Sequence, residues 1–84
     1  MKTIEEEVAS VLATICHRDR VSLLDELVRD LGVDSLSFVQ LVVALEQRTG
    51  VSFDDEDLML SMYPTVADLA RYLARRANPS EATS

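Results

Sequence analysis

Residues 33–50 read VDSLSFVQLVVALEQRTG, and no other segment of the chain says more about its architecture. Wound at about 100° per residue, it places four large apolar side chains on one broad face: Phe38, Leu41, Val42 and Leu45. Asp34 or Ser35 can cap the amino end, and Gly50 is a residue type that commonly follows the last helical residue. The stretch therefore predicts a helix from Asp34 or Ser35 to about Thr49, with one face in a core.

The same helix carries a second apolar stripe. The stripe consists of Leu36, Val39 and Val43, and polar side chains border it: Gln40, Glu46 and Gln47. A helix that is apolar on several sides is normally buried all round, but few helices of a small bundle can be enclosed completely. Two interpretations stay open. The stripe packs beneath residues 21–33, or it forms an exposed patch rimmed by polar groups, which is the usual mark of a docking surface.

The composition of the whole chain also favours helices. The 84 residues are enough for one domain, and 48% of them are hydrophobic. Glycine and proline occur only twice each, which disfavours a turn-rich β architecture. Thr3 and Glu6 have the spacing of a capping box, so we expect a first helix from Thr3 to Cys16 or His17.

Three further segments complete the predicted bundle. Residues 21–34 form a long connection with one short helical turn around 23–28. Residues 55–62 form a short helix, and the cap-like pair Thr65 and Asp68 begins a last helix that continues to about Arg76.

We therefore predict an all-α fold. It is a four-helix bundle of three main helices and one short helix, with a long first connection. The folded domain spans residues 1–77. The polar residues 78–84 lack periodicity, and we expect a disordered tail there.

The net charge of −7 bears on partners and location. Nucleic acid needs a basic footprint, so we expect no nucleic-acid partner. The acids either steer the protein toward basic surfaces of protein partners or serve solubility alone. The amino-terminal residues do not resemble a signal peptide, and no apolar run approaches the roughly 20 residues that span a bilayer. We expect a cytoplasmic monomer without a membrane partner.

The sequence offers no catalytic or metal-binding constellation. His17 is the only histidine, and no GxSxG elbow or glycine-rich segment suggests an oxyanion hole. Cys16 is the only cysteine, which we interpret as a buried structural thiol. The acids at 54–57 are contiguous and lack the spacing of a calcium loop. We predict that the chain is not an enzyme and holds no metal.

Ser35 has two interpretations at this point. A serine or aspartate at the mouth of a helix is most simply an N-cap. The same position would also place a phosphodiester on the hydroxyl close to free backbone amides and the positive end of the helix dipole. Because no base in the chain can activate Ser35, any chemistry at its hydroxyl needs another enzyme.

Four stretches together resemble the acyl carrier proteins. Residues 31–36 read LGVDSL, and Val39 and residues 41–46 (LVVALE) follow in the same helix. The likeness continues in residues 51–53 (VSF) and 64–69 (PTVADL). With the first helix fitting by pattern, the resemblance covers roughly residues 4–76. It favours the functional interpretation of Ser35 over the cap.

The resemblance implies a site and a cofactor. A phosphopantetheinyl transferase would attach 4′-phosphopantetheine from coenzyme A to Ser35, and Asp34 would assist recognition by that transferase. The thiol of the arm would then carry an acyl, aminoacyl or peptidyl thioester. The core face of the second helix could line a cleft that shelters this cargo.

The resemblance also implies a partner surface. Its residues would be Leu36, Val39, Gln40, Val43 and Glu46. Partners would be acyltransferases, adenylation or ligase enzymes, or ketosynthase-type enzymes.

Two positions depart from the carriers of fatty-acid synthesis. Ser37 and Gln40 stand where those carriers are often acidic, and the segment 57–63 is a little longer than in them. The chain is more similar to a discrete bacterial carrier of a polyketide or nonribosomal peptide pathway. The alternatives are a fatty-acid carrier and a helical interaction module without a prosthetic group.

Overall fold

A computed structural model describes residues 3–77 of the chain, and its regular structure is helical. The elements follow the chain in the order α1 (Ile4–Ile15), α2 (Ser35–Thr49) and α3 (Val66–Ala77), with two 3₁₀ turns, Asp55–Asp57 and Leu60–Met62, between α2 and α3. The predicted all-α fold with a long first connection is confirmed. The predicted tail, residues 78–84, lies outside the described residues.

Helix α1 begins at the predicted capping box. The Glu6 N–H donates to Thr3 Oγ1 at 3.1 Å, and the Thr3 N–H donates to Glu6 Oε1 at 3.4 Å. These two bonds satisfy amides that the first helical turn leaves without partners. Val8 and Leu12 lie on the inner face of α1, which packs against both α2 and α3.

The core collects one apolar face from each helix. Its fully buried members include Val8, Leu12, Leu27, Leu41, Leu45, Val66, Leu69 and Leu73. Phe38, Leu41, Val42 and Leu45 of α2 all point into it, as the helical periodicity predicts. No polar or charged residue is buried among residues 3–77, so the core is held by apolar packing.

The long connection differs from its prediction, because residues 23–28 form turns and an isolated bridge rather than a helical turn. The Leu27 N–H donates to the Pro64 carbonyl at 3.0 Å. In return, the Asp25 carbonyl accepts from the Val66 N–H at 3.0 Å, and the Leu23 carbonyl accepts from the Ala67 N–H at 2.9 Å. Backbone groups that a helix would pair locally are therefore bonded to the start of α3.

The predicted short helix at residues 55–62 is two 3₁₀ turns, which Met59 separates in an extended conformation (φ −124°, ψ 119°). The Tyr63 hydroxyl donates to the Asp57 carbonyl at 2.8 Å, which occupies an acceptor that a longer helix would use. None of the described helices is long and apolar enough to cross a membrane.

Candidate functional site

The amino end of α2 is capped by Asp34. Its backbone is extended (φ −110°, ψ −176°), and its Oδ1 accepts the Ser37 N–H at 2.8 Å. The backbone N–H and the hydroxyl of Ser37 stabilise the charged carboxylate, which lowers the pKa of Asp34 below its usual value. The sequence allowed either Asp34 or Ser35 as the cap, and the structure assigns this role to Asp34.

Ser35 is therefore the first helical residue and not the cap. Its side chain is exposed, and its hydroxyl makes no hydrogen bond to another residue within 3–77. The hydroxyl is thus open to attack a substrate brought by another protein. No described side chain accepts a hydrogen bond from this hydroxyl, so the structure shows no base in contact with Ser35.

The backbone before Ser35 is held in place. Leu31 and Val33 are buried in the core on either side of Gly32, which adopts a left-handed conformation (φ 67°). The Val33 N–H donates to the Leu27 carbonyl at 2.8 Å. Buried side chains and a backbone bond thus position the serine, although its own side chain is in solvent.

A groove opens beside Ser35, between the start of α2 and the segment that connects the 3₁₀ turns. Its volume is about 390 Å³. Its lining consists of Ser35, Phe38, Val39, Leu58, Met59, Leu60 and Ser61. Five of these seven residues are apolar, and Ser35 is part of the groove wall.

Four aromatic rings pack together in contact with this groove. The Phe38 and Tyr63 rings stack with centroids 5.8 Å apart, and Tyr63 meets the edge of Tyr72 at 5.6 Å. Phe53 completes the cluster, 5.0 Å from Tyr72 and 6.4 Å from Tyr63. Burial, with Tyr72 and Asp57 nearby, raises the pKa of Tyr63 to about 12, and burial also raises the pKa of Tyr72.

Polar bonds fix residues 54–57 against α3. The Tyr72 hydroxyl donates to Asp57 Oδ2 at 2.9 Å. Arg76 donates to both carboxylate oxygens of Asp54, at 3.0 and 3.1 Å, in the two-pronged geometry that gives arginine pairs their specificity. The segment that forms one wall of the groove is thereby fixed at the end that precedes Leu58.

The second apolar stripe of α2 is exposed. The exposed fractions of Leu36, Val39 and Val43 are 70%, 57% and 47%. The interpretation in which this stripe packs beneath residues 21–33 is therefore wrong. Gln40 is exposed beside it. An apolar patch of this kind, rimmed by polar groups and starting next to Ser35, has the character of an interaction surface.

Glu46, predicted to face partners, has a contact inside the molecule. Its Oε2 accepts the Phe53 N–H at 2.9 Å, which joins the last turns of α2 to the segment that follows the helix. The side chain is only partly exposed. Its charge is therefore partly engaged within the fold.

A sequence profile described as a phosphopantetheine attachment site matches residues 6–73 of the chain. The chain belongs to the acyl carrier protein family. A relative from Helicobacter pylori (strain ATCC 700392 / 26695), named acyl carrier protein, is 36% identical over 70 residues, which cover 81% of this chain and 87% of the relative. Relatives with the same name occur in Clostridium perfringens (strain SM101 / Type A; 31% identical, 83% and 87% covered) and Bdellovibrio bacteriovorus (strain ATCC 15356 / DSM 50701 / NCIMB 9529 / HD100; 38% identical, 69% and 72% covered).

The prosthetic group of this carrier is a covalently attached 4′-phosphopantetheine. The geometry at the mouth of α2 fits such a group, because attachment needs an exposed hydroxyl and Ser35 presents one without internal hydrogen bonds. The expectation that the amides at the helix start are free to meet a phosphate on Ser35 changes for one of them. The Asp34 carboxylate already holds the Ser37 N–H, so this amide is not available to a phosphate on Ser35.

Sequence reasoning missed the far wall of the groove. Leu58 and Met59 are exposed, whereas the sequence pattern predicts only that they belong to a short helix. A signal was present, because the run Leu58-Met59-Leu60 places three large apolar residues side by side. Three consecutive positions point in different directions from any short element, so at least one of them must meet solvent.

The described part of the chain offers little support for a metal site or a reactive thiol. Residues 3–77 contain no group of three histidine, cysteine or acidic side chains that could hold a metal ion. Cys16 is partly buried and packs against the core, where a buried structural thiol was expected. Burial raises the pKa of its thiol despite the nearby Arg18, so the thiol stays largely protonated and poorly reactive at neutral pH.

Proposed function

We propose that the chain carries biosynthetic intermediates as thioesters on a 4′-phosphopantetheine arm attached to Ser35. One observation supports this assignment above the others. The Ser35 hydroxyl is exposed at the first residue of α2 and has no hydrogen bond within the described structure, because Asp34 provides the cap. A serine kept for capping would be bonded to the helix amides.

The attachment step needs coenzyme A and a transferase. The Ser35 oxygen forms a bond to the phosphorus on the pantetheine side of the coenzyme A pyrophosphate. The phosphoanhydride bond breaks, adenosine 3′,5′-bisphosphate leaves, and the serine proton passes to a base of the transferase. In this proposal Asp34 keeps the first turn of α2 formed and presents its carboxylate to the transferase.

Intact mass tests the attachment site. The purified protein is incubated with coenzyme A, Mg²⁺ and a phosphopantetheinyl transferase of broad specificity. We expect the mass to rise by one phosphopantetheine in the wild type and in the matched controls Ser37→Ala and Ser61→Ala, and not in Ser35→Ala. No gain in the wild type would refute a carrier role at this site, and a gain in Ser35→Ala would move the attachment to another residue.

The proposed partner surface comprises Leu36, Val39, Gln40, Val43 and Glu46. The exposure of the three apolar members supports it. Acyltransferases, adenylation or ligase enzymes and ketosynthase-type enzymes would dock there and reach the arm on Ser35. If the protein bound such partners equally well without the arm, the alternative of an interaction module without a prosthetic group would be favoured.

We further propose that the pathway is a secondary one, producing a polyketide or a nonribosomal peptide, in the cytoplasm. The first turn of α2 contains no acidic residue, and its single later acid, Glu46, is bonded to Phe53. The exposed face of α2 is therefore nearly uncharged, unlike the acidic stripe expected of a fatty-acid carrier.

A carrier of fatty-acid synthesis is the second candidate, because the relatives share the name acyl carrier protein. Intact mass of the protein from its native cells distinguishes the two. We expect a polyketide, aminoacyl or peptidyl group on the arm. A ladder of saturated acyl chains that differ by two carbons would favour the fatty-acid role.

A further inference from the structure

We infer that Phe38 and Tyr63 form a closed aromatic floor that limits the length of cargo that the groove beside Ser35 can shelter. This inference rests on the proposed attachment at Ser35. It adds a length limit, set by two named residues, to the general expectation that a cleft shelters the cargo.

The occupant of the groove follows from its position. Ser35 is part of the groove wall, so a group tethered to this serine is held near the opening at high effective concentration. Val39, Leu58 and Met59 are exposed apolar residues of the lining. An acyl chain delivered by the arm gains by covering these side chains, since burial of apolar surface is favourable.

The depth of the groove is set by Phe38. Its side chain is buried and lies at the groove, and the Tyr63 ring stacks directly on it at 5.8 Å with the planes only 28° apart. Behind Tyr63 stands Tyr72, whose ring meets it edge-on at 5.6 Å. A chain that entered beyond Phe38 would have to separate rings that are already in contact.

Hydrogen bonds to Asp57 hold this floor closed. The Tyr63 hydroxyl donates to the Asp57 carbonyl at 2.8 Å, and the Tyr72 hydroxyl donates to the Asp57 carboxylate at 2.9 Å. Movement of either ring leaves a partly buried polar group without its partner, which adds to the cost of opening. Short acyl groups therefore lie on top of Phe38, and the remainder of a longer chain stays in solvent.

A series of acyl groups on the wild-type protein tests the limit. The transferase loads acetyl-, butyryl-, hexanoyl- and octanoyl-phosphopantetheine from the matching acyl-coenzyme A, and loading is checked by mass. The rate of thioester cleavage by hydroxylamine is then compared with that of the same acyl-pantetheine free in solution. Each methylene that became fully buried would increase protection by about fourfold.

We expect protection to increase from acetyl to butyryl and then to level off. A continued increase through octanoyl would overturn the inference, because the floor would then open for longer chains. Failure of the proposed function has a different signature. It appears as absent loading at Ser35 before any cleavage rate is measured.

Variants of the floor give a second, independent readout. Phe38→Ala and the milder Phe38→Leu remove ring volume from the floor, and we expect protection of the octanoyl form to increase above the wild-type level in both. Tyr63→Phe keeps the stacked ring and loses only the bond to Asp57, so we expect its octanoyl protection to rise less than that of Phe38→Leu. Circular dichroism confirms that each variant is folded. If Phe38→Ala is unfolded, Phe38→Leu and the wild-type series decide the question, and an unchanged length profile in Phe38→Leu would contradict the role of this ring.

Discussion

Two neighbouring residues divide the tasks at the mouth of α2. Asp34 caps the helix through the Ser37 N–H, and this leaves the Ser35 hydroxyl without a structural duty. The local sequence could not separate these roles, because serine and aspartate are about equally good caps. The resemblance to acyl carrier proteins pointed to Ser35, and the geometry supplies the physical reason why the serine is available.

The phenol of Tyr63 makes stability sensitive to alkaline pH. Its pKa is raised to about 12 in the folded protein, whereas an unfolded tyrosine titrates at about 10. The fold therefore binds this proton more tightly than the unfolded chain does. The stabilisation is fully present below about pH 10 and is lost as the pH rises through about 12.

We expect the alkaline unfolding transition, followed by circular dichroism, to coincide with the late appearance of tyrosinate absorbance. In Tyr63→Phe one late-titrating phenol is lost, and stability falls less steeply between about pH 10 and 12. Tyr72 still contributes in that variant, because burial raises its pKa as well. If both phenols titrated at about pH 10 in the folded wild type, the rings would not be buried as described.

Helices α1 and α2 are each followed by a residue in the left-handed conformation, but only the residue after α2 is a glycine. Helix α2 is followed by Gly50 at φ 74°, whereas His17 adopts φ 56° just after α1. The Arg18 N–H donates to the Ala13 carbonyl at 2.9 Å, a bond that requires the left-handed residue before it. A histidine is strained in this conformation and a glycine is not.

Substitutions at His17 and at Gly50 should change the free energy of unfolding in opposite directions. We expect His17→Gly to raise it by about 0.5–1 kcal/mol and Gly50→Ala to lower it by about 1 kcal/mol, as measured by urea denaturation. A Cβ on Gly50 meets no atom within 4 Å, so the loss would come from the backbone conformation and not from a clash. A destabilised His17→Gly would show that the histidine side chain makes a compensating contact.

The helices could be predicted from sequence because their determinants are local. The capping box of α1, the periodicity of α2 and the Thr65–Asp68 pair before α3 all act within a few residues, and each is present in the structure. Residues 23–28 and 55–62 were less predictable. Their backbone groups bond to residues far along the chain or to tyrosine hydroxyls, and no local sequence pattern predicts such partners.

The net charge of the whole chain and its proposed partner surface have different characters. The chain carries a charge of −7, but the exposed stripe beside Ser35 is formed by Leu36, Val39 and Val43. Long-range attraction to a basic partner is screened by salt, whereas contact between apolar surfaces is not. The sequence predicts the stripe itself. Its exposure could not be predicted, because it depends on how the long connection packs.

Partner turnover should therefore depend more on the stripe than on ionic strength. We expect the kcat/KM of a partner enzyme for the loaded carrier to decrease only modestly when salt is raised to about 0.5 M. In Val43→Asp we expect this kcat/KM to fall about tenfold, because the variant loses apolar burial and brings a charge into the contact. Leu24→Asp is the control, because it makes the same kind of change at a residue that is 85% exposed outside the stripe. A steep decline with salt, or equal losses in both variants, would contradict an apolar docking surface.

The hydrogen bonds between residues 23–27 and 64–67 have a consequence for protein engineering. They involve main-chain atoms only, so these bonds do not depend on the side chains at the exposed positions of the connection. Leu24 and Val28 project into solvent from this path, with exposed fractions of 85% and 60%. These two positions can be varied, for example in a library selected for binding to new partner enzymes. The bonded backbone would still hold Ser35 in its position.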